Sequence, residues 1–142
     1  MKSISPILLA LFTSLSLAST PEETLNAFYQ ALAQGDTTAA AGHLSPDVTI
    51  YESGHVERSR AEYVNHHLAS DIAFAKVTQR KVLKKSEKTN GNLALIWEET
   101  ETSGKYQGKD VHLLGTGTLL LEKKDNAWVI THIHWSSRKA GK

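Results

Sequence analysis

The chain has 142 residues, with 16 Lys and Arg against 15 Asp and Glu, seven His and no Cys. This length suits a single domain, and the near-neutral charge argues against a strongly basic nucleic-acid-binding protein. The absence of Cys excludes a disulfide scaffold, a thiolate metal site and a cysteine nucleophile. Candidate sites are therefore sought first among the histidines.

The first 18 residues have the pattern of a secretory signal peptide. Lys2 gives a positive start, an apolar run follows over residues 7–17, and Ser16 and Ala18 are small residues at the spacing of a cleavage site. The run is too short for a membrane-spanning helix, which needs about 20 apolar residues. We expect cleavage after Ala18, a secreted or periplasmic protein without a membrane span, a single domain over 19–138 and a flexible tail over 139–142.

Two helices are predicted at the start of the mature chain. Residues 20–23 read Thr-Pro-Glu-Glu, a capping box that satisfies free backbone N–H groups at a helix start, and Gly35 is a typical helix end. Asp36 can cap a second, short helix that reaches Leu44. A short strand is predicted over residues 48–51.

A third helix is predicted from Ser59 through Ile72, because residues 59–62 form another capping box. This helix would place Tyr63, His67 and Asp71 in one row, four residues apart. Asp71 could then orient the imidazole of His67, as carboxylates do beside catalytic or metal-binding histidines. The row is either a polar pocket wall or a surface stripe of i, i+4 contacts.

Four antiparallel strands are predicted after the helices. They cover residues 74–88, 93–102, 111–122 and 128–137, and Asn90-Gly91 is a strong hairpin signal between the first two. Helices at one end of the chain and strands at the other predict an α+β fold. A long sheet curved over the helices would enclose one concave space of the size of a ligand.

The last predicted strand carries two histidines that are two residues apart. Because side chains alternate along a strand, we expect five residues to share one face: Trp128, Ile130, His132, His134 and Ser136. Two imidazoles at this spacing suit a shared metal or an acid–base pair at one ligand. They suit equally well two hydrogen-bonded histidines that line an inert pocket.

Four segments, together with the order of elements, carry a resemblance to a known family: Tyr51-Glu52-Ser53-Gly54, Ser59-Arg60-Ala61-Glu62-Tyr63, His66-His67-Leu68 and His132-Ile133-His134-Trp135-Ser136-Ser137-Arg138. They resemble the SnoaL-like branch of the nuclear transport factor 2-like superfamily. The resemblance implies a conical α+β barrel, in which a strongly bent antiparallel or mixed sheet wraps around the N-terminal helices. It also implies a pocket in the barrel mouth and a homodimer through the outer sheet face.

The resembled superfamily includes ketosteroid isomerases, polyketide cyclases and dehydratases, and also proteins without catalysis, so the resemblance does not select an activity. In that fold Glu52 and the last strand both approach the cavity. Glu52, His67, His132 and His134 would then form a ligand set for a transition metal such as zinc or copper. Residues 55–58 are expected in an exposed loop.

We therefore predict a secreted protein whose cavity binds a small organic molecule, with no nucleic-acid partner. The alternatives are a metal-binding protein that uses His132 and His134, a lyase or isomerase with acid–base chemistry, and a non-catalytic dimeric interaction module. The predicted catalytic residues are His132, His134, His67, Tyr63 and Asp71, of which the three histidines are also the predicted metal ligands. The predicted ligand-binding residues are Tyr51, Glu52, Trp97, Trp128, Trp135 and Ser136.

Overall fold

The computed structural model describes residues 19–141. The predicted signal peptide, residues 1–18, lies outside the described residues. Over 19–141, the elements in chain order are α1 (Pro21–Gln34), α2 (Thr37–Gly42), β1 (Leu44–Glu52), β2 (His55–Glu57), α3 (Arg60–His66), α4 (Leu68–Ala75), β3 (Thr78–Asn90), β4 (Leu93–Tyr106), β5 (Lys109–Lys124) and β6 (Ala127–Lys139). No helix within these residues is long and apolar enough to cross a membrane.

The first helix has the predicted ends. The Glu23 backbone N–H donates to Thr20 Oγ1 at 3.1 Å, and the Thr20 N–H donates to Glu23 Oε2 at 2.8 Å, which completes the capping box. Gly35 ends the helix with a left-handed φ of 78°. Leu25 and Phe28 are fully buried, so this helix supplies one side of the core. The second helix is shorter than predicted, since it ends at Gly42 and Leu44 already belongs to β1.

The predicted third helix is two helices that meet at His67. The α3 segment begins at Arg60 after the Ser59 cap, and α4 begins at Leu68. His67 has a φ of −113°, outside the helical range, and its carbonyl accepts the backbone N–H groups of Ser70 and Asp71. The prediction of one continuous helix is therefore wrong, although Tyr63 and Asp71 still lie close enough to form a hydrogen bond.

The six strands form one mixed sheet in the order β2-β1-β6-β5-β4-β3. The β1–β6 pair is parallel and the other pairs are antiparallel. The α+β fold with helices packed against a bent sheet is confirmed. Over residues 19–141 β2 and β3 are the two edges of this sheet, which is therefore open and is not a closed barrel. The predicted start of β3 at Phe74 is wrong, because Phe74 lies in α4.

A β-bulge at Thr131 determines which side chains of β6 face the core. Ile130 pairs with Leu121 and His132 pairs with Leu120, so Thr131 is an extra residue between two adjacent pairs. An extra residue reverses the alternation that follows it. Trp128 and Ile130 are therefore on the buried face together with Ile133, whereas His132 lies on the opposite face.

The sheet has an inner face, which packs against the helices, and an outer face, which no described element covers. The core lies between the inner face and α1, and includes Phe28, Ile96, Leu119, Ile130 and Ile133. Apolar residues on the outer face stay partly exposed: Tyr51, Leu93, Leu95 and Trp97. The strand β6 continues through Lys139, one residue into the predicted tail.

Candidate functional site

A cavity of about 730 Å³ lies between the inner face of the sheet and the helices α1 and α4. Aromatic side chains form much of its wall: Tyr29, Phe74, Tyr106 and Trp135. The ionisable side chains Glu52, Asp71 and Arg80 also line it. A volume of this size, with a mainly apolar wall and few polar groups, is typical of small-molecule sites.

Two glycines of β5 form part of the floor of the cavity. Gly115 and Gly117 lie on the inner face, and neither adds a side chain of its own to the floor. A Cβ atom on Gly115 would lie 2.7 Å from Thr100 Oγ1, which is too close for two unbonded atoms, whereas one on Gly117 would lie 3.4 Å from Trp135 Cδ1. The missing side chains therefore allow Thr100 and Trp135 to pack closely against the backbone of β5.

A network of aromatic and charged groups connects the cavity wall to α1. Trp135 Nε1 donates to the Tyr29 hydroxyl at 3.0 Å, and the Arg80 guanidinium lies 3.8 Å above the Tyr29 ring. Arg80 also forms an ion pair with the buried Glu98, which Lys85 approaches at 3.5 Å. Burial raises the pKa of Tyr29 to about 12, so the phenol stays protonated at neutral pH. Arg80 is therefore already paired inside the protein.

Two carboxylates lie together in another part of the cavity wall. The Tyr63 hydroxyl donates to Asp71 Oδ2 at 2.7 Å. Burial raises the pKa of Asp71, and burial together with the negative charge of Asp71 raises the pKa of Glu52. Burial likewise raises the pKa of Tyr63, which keeps it a hydrogen-bond donor. The two carboxyl groups, Glu52 and Asp71, can therefore exchange protons closer to neutral pH than ordinary carboxyl groups.

A second cavity of about 110 Å³ adjoins the Glu52 carboxylate. Its wall includes His55, Glu57, Tyr63 and His67. Glu57 contacts His67 Nδ1 through one oxygen and lies 3.4 Å from His66 Nδ1 through the other. The expected exposed loop over 55–58 is wrong, because residues 55–57 form β2 and Glu57 is only 5% exposed. The carboxylate that holds His67 is thus Glu57, and the predicted role of Asp71 in orienting that imidazole is wrong.

The histidines of β6 lie away from both cavities, on the outer face of the sheet. The Tyr51 ring centroid is 5.0 Å from that of His132 and 6.1 Å from that of His134. His132 Nδ1 is 2.8 Å from Thr49 Oγ1, and burial lowers the pKa of this imidazole. The two histidines do share a face, but the bulge at Thr131 removes Trp128 and Ile130 from it.

The other predicted site residues separate into four groups. Glu52, Asp71, Trp135 and Ser136 line the main cavity, and Glu52, Tyr63 and His67 line the second one. Tyr51 and Trp97 belong to the outer face, and Trp128 is in the core. His67 is therefore not brought together with His132 and His134. No three His, Asp or Glu side chains of residues 19–141 are arranged to hold a metal ion.

Most residues that line these cavities were not predicted as site residues, and Tyr29, Arg80 and Glu57 are three that carry polar or charged groups. Tyr29 follows a core phenylalanine on a helix, so its spacing predicted only packing. Arg80 lies in a run of basic residues typical of an exposed edge strand. A charged residue is seldom buried without a partner. The partner of Glu57, His67, lies ten residues further along the chain, so no local sequence pattern predicts that Glu57 is buried.

This chain is similar to a known domain family and to solved structures. The family model of the SnoaL-like domain matches residues 22–138. The chain belongs to the SnoaL-like domain family. A crystal structure of a candidate ketosteroid isomerase from Shewanella frigidimarina NCIMB 400 is 35% identical, with a TM-score of 0.77 over 80% of this chain and 91% of that chain. None of the curated proteins matches the chain.

Two less similar solved structures share the fold of this SnoaL-like chain. A candidate dehydratase of the NTF2-like family from Streptomyces avermitilis is 18% identical, with a TM-score of 0.71 over 82% of this chain and 93% of that one. A candidate calcium/calmodulin-dependent protein kinase II association domain from Xanthomonas campestris is 19% identical, with a TM-score of 0.70 over 80% of this chain and 82% of that one. The diversity of these relatives shows that function has to be argued from the cavity itself.

Proposed function

We propose that this SnoaL-like protein binds a small, mainly apolar organic molecule in its main cavity. The observation that supports this function is the cavity of about 730 Å³ between α1, α4 and the inner face of the sheet. Four aromatic side chains provide apolar contact area, and Glu52 and Asp71 provide a small number of polar groups that can orient a ligand. Gly115 and Gly117 line the same cavity and add no side chains of their own to it.

The binding function is tested with Nile red, an uncharged dye whose fluorescence rises in apolar surroundings. The substitution Ser137→Trp places a large side chain on the cavity wall, and we expect it to weaken binding by about 10-fold. Trp97→Gln changes the apolar outer face instead and should leave the affinity within about two-fold. The opposite result, a loss with Trp97→Gln and no change with Ser137→Trp, would place the dye on the outer face and contradict the proposal.

We infer a second candidate function, proton transfer by Glu52, from the raised pKa values of the two carboxyl groups. A carboxylate with a raised pKa is a stronger base, and the relative that is 35% identical is a candidate ketosteroid isomerase. Glu52 would take a proton from the carbon between the carbonyl and the double bond of a β,γ-unsaturated ketone. It would then return the proton to the γ carbon of the dienolate, which yields the conjugated ketone.

The proton-transfer function is tested by following the absorbance of the conjugated product from a β,γ-unsaturated ketosteroid. Glu52→Gln should reduce the rate by at least about 100-fold, because general-base catalysis contributes 10²–10⁴-fold. Glu99→Gln is the matched control, since Glu99 is exposed and lies on the outer face. Equal rates in the two variants, or no reaction above the uncatalysed rate, would eliminate this candidate.

We also propose that two copies associate through the outer face. Tyr51, Leu93, Leu95 and Trp97 are 37–49% exposed on this one face, and an exposed apolar patch of this kind is typical of an interaction surface. Self-association is compatible with ligand binding, because the cavity lies on the inner side of the sheet. Export of the mature chain after cleavage at Ala18 stays a prediction, which N-terminal sequencing of the processed protein would test.

A further inference from the structure

The charges of the main cavity are not balanced by its own side chains. Arg80 is the sole Lys or Arg among the described residues that line either cavity, and it is already paired with Glu98. The charges that act on Glu52 are those of Asp71, His67 and His55. His67 is itself held by Glu57. Glu52 and Asp71 therefore share a part of the wall that no lysine or arginine neutralises.

Aromatic side chains near these carboxylates also favour a positively charged ligand. Phe74, Tyr106 and Trp135 line the same cavity as Glu52 and Asp71, and Phe74 lies one turn along α4 from Asp71. Aromatic faces attract organic cations, and the attraction is stronger where water is excluded. The fold already shows this preference at Tyr29, whose ring carries the Arg80 guanidinium.

We propose that the ligand of the main cavity is an amphipathic amine, with its ammonium group against Glu52 and Asp71 and its apolar rings against the aromatic wall. The inference rests on the binding function proposed above and is independent of proton transfer. Tyr63 occupies Asp71 Oδ2 and leaves Oδ1 free for an N–H donor. An anionic ligand would face two carboxylates, and a neutral one would leave their charge uncompensated.

Three ligands with the same naphthalene body test the proposal by isothermal titration calorimetry at pH 7.5: naphthylethylamine, naphthylethanol and naphthylacetate. We expect the amine to bind about 10-fold more tightly than the alcohol and the carboxylate to bind most weakly. Glu52→Gln and Asp71→Asn should each weaken the affinity for the amine by about five-fold and leave the affinity for the alcohol within about two-fold of the wild-type value. Glu99→Gln, an exposed carboxylate on the outer face, is the matched control and should change neither affinity.

Each outcome decides the proposal. Equal affinity for amine and alcohol, or tightest binding of the carboxylate, overturns the amine and leaves the binding function standing. Loss of amine binding in Glu99→Gln as large as in Glu52→Gln also overturns it, because the attraction would then be a general effect of surface charge. If none of the three ligands binds, the amine fails, and the Nile red titration shows independently whether the cavity binds any apolar molecule.

Discussion

The Tyr63 hydroxyl donates a 2.7 Å hydrogen bond to Asp71 across the junction of α3 and α4. In a continuous helix these residues would be about 12 Å apart along the axis, at 1.5 Å per residue. The break at His67 lies between them, and Asp71 also lines the main cavity. Part of the polar wall of the cavity thus lies at the junction where the one predicted helix is divided into α3 and α4.

Tyr63→Phe removes the hydroxyl and leaves Asp71 without this donor. Because the hydrogen bond lowers the pKa of Asp71, its loss should raise that pKa further. We expect a loss of about 1–3 kcal/mol in the free energy of unfolding at pH 8 and a smaller loss at pH 4, because the hydroxyl stabilises the charged form of Asp71 more than its neutral form. Urea unfolding at both pH values measures this, and Tyr51→Phe on the outer face is the control. A loss that is the same at both pH values would show that the hydroxyl does not act through Asp71.

The raised pKa values of Glu52 and Asp71 predict how stability depends on pH. A carboxyl group whose pKa is higher in the folded state holds its proton longer there than in the unfolded chain, so ionisation favours unfolding. The two groups should therefore lower the free energy of unfolding as the pH rises from about 4, the value of an ordinary carboxyl group, through their folded pKa values.

The double variant Glu52→Gln, Asp71→Asn isolates this contribution. Between pH 4 and pH 8, the free energy of unfolding of the wild type should fall steadily relative to that of the variant. Exposed groups such as Glu101, whose pKa is lowered by its hydrogen bond with His112, are common to both proteins and cancel in the difference. A difference that does not change with pH would contradict the environment described for these carboxyl groups.

The two floor glycines give a matched pair of substitutions. Gly115→Ala places a Cβ atom 2.7 Å from Thr100 Oγ1, so the neighbouring side chain has to shift, whereas Gly117→Ala gives a contact of 3.4 Å with Trp135. We expect Gly115→Ala to cost about 1–3 kcal/mol of stability and to weaken Nile red binding. Gly117→Ala should lower the stability by a smaller amount. Thermal unfolding and dye titration measure both effects, and a larger cost for Gly117→Ala would contradict the described floor.

A charge on the outer face tests self-association. Trp97→Lys buries an unpaired ammonium group in the proposed interface, so we expect the dimer to become a monomer. Size-exclusion chromatography with light scattering measures the mass. Leu83→Lys is the control, because Leu83 is equally apolar and 49% exposed but belongs to the edge strand β3. A monomeric wild-type protein, or dissociation by Leu83→Lys alone, would contradict an interface at Trp97.

The fold could be predicted in large part from local signals. The capping boxes at Thr20 and Ser59 and the Asn90-Gly91 hairpin signal are short-range patterns, and the structure contains both predicted helix starts. The hairpin is also present, but Asn90 pairs with Leu93, so its two loop residues are Gly91 and Asn92, one residue later than predicted. The helix break at His67 and the bulge at Thr131 were not predictable in this way. Both depend on contacts with other elements, since the bulge is defined only by the pairing of β6 with Leu120 and Leu121.

The bulge also explains why the candidate site was only partly predicted. One extra residue moves His132 and His134 from the expected cavity to the outer face, whereas Glu52, Trp135 and Asp71 do line the cavity. The partners of Tyr29 show the same limit, since its hydroxyl contacts Trp135 from the other end of the chain. Periodicity assigns a residue to a face, but it does not identify the residue that faces it from another element.

Backbone NMR with naphthylethanol shows whether the cavity between the helices and the inner face holds a small molecule. Binding in this cavity predicts chemical-shift changes at Gly115, Gly117 and Asp71, with ligand-to-protein NOEs to Trp135 and Phe74. Shifts confined to Leu95, Trp97 and Tyr51, with no NOE to Trp135, would place the ligand on the outer face and rule out binding in the cavity.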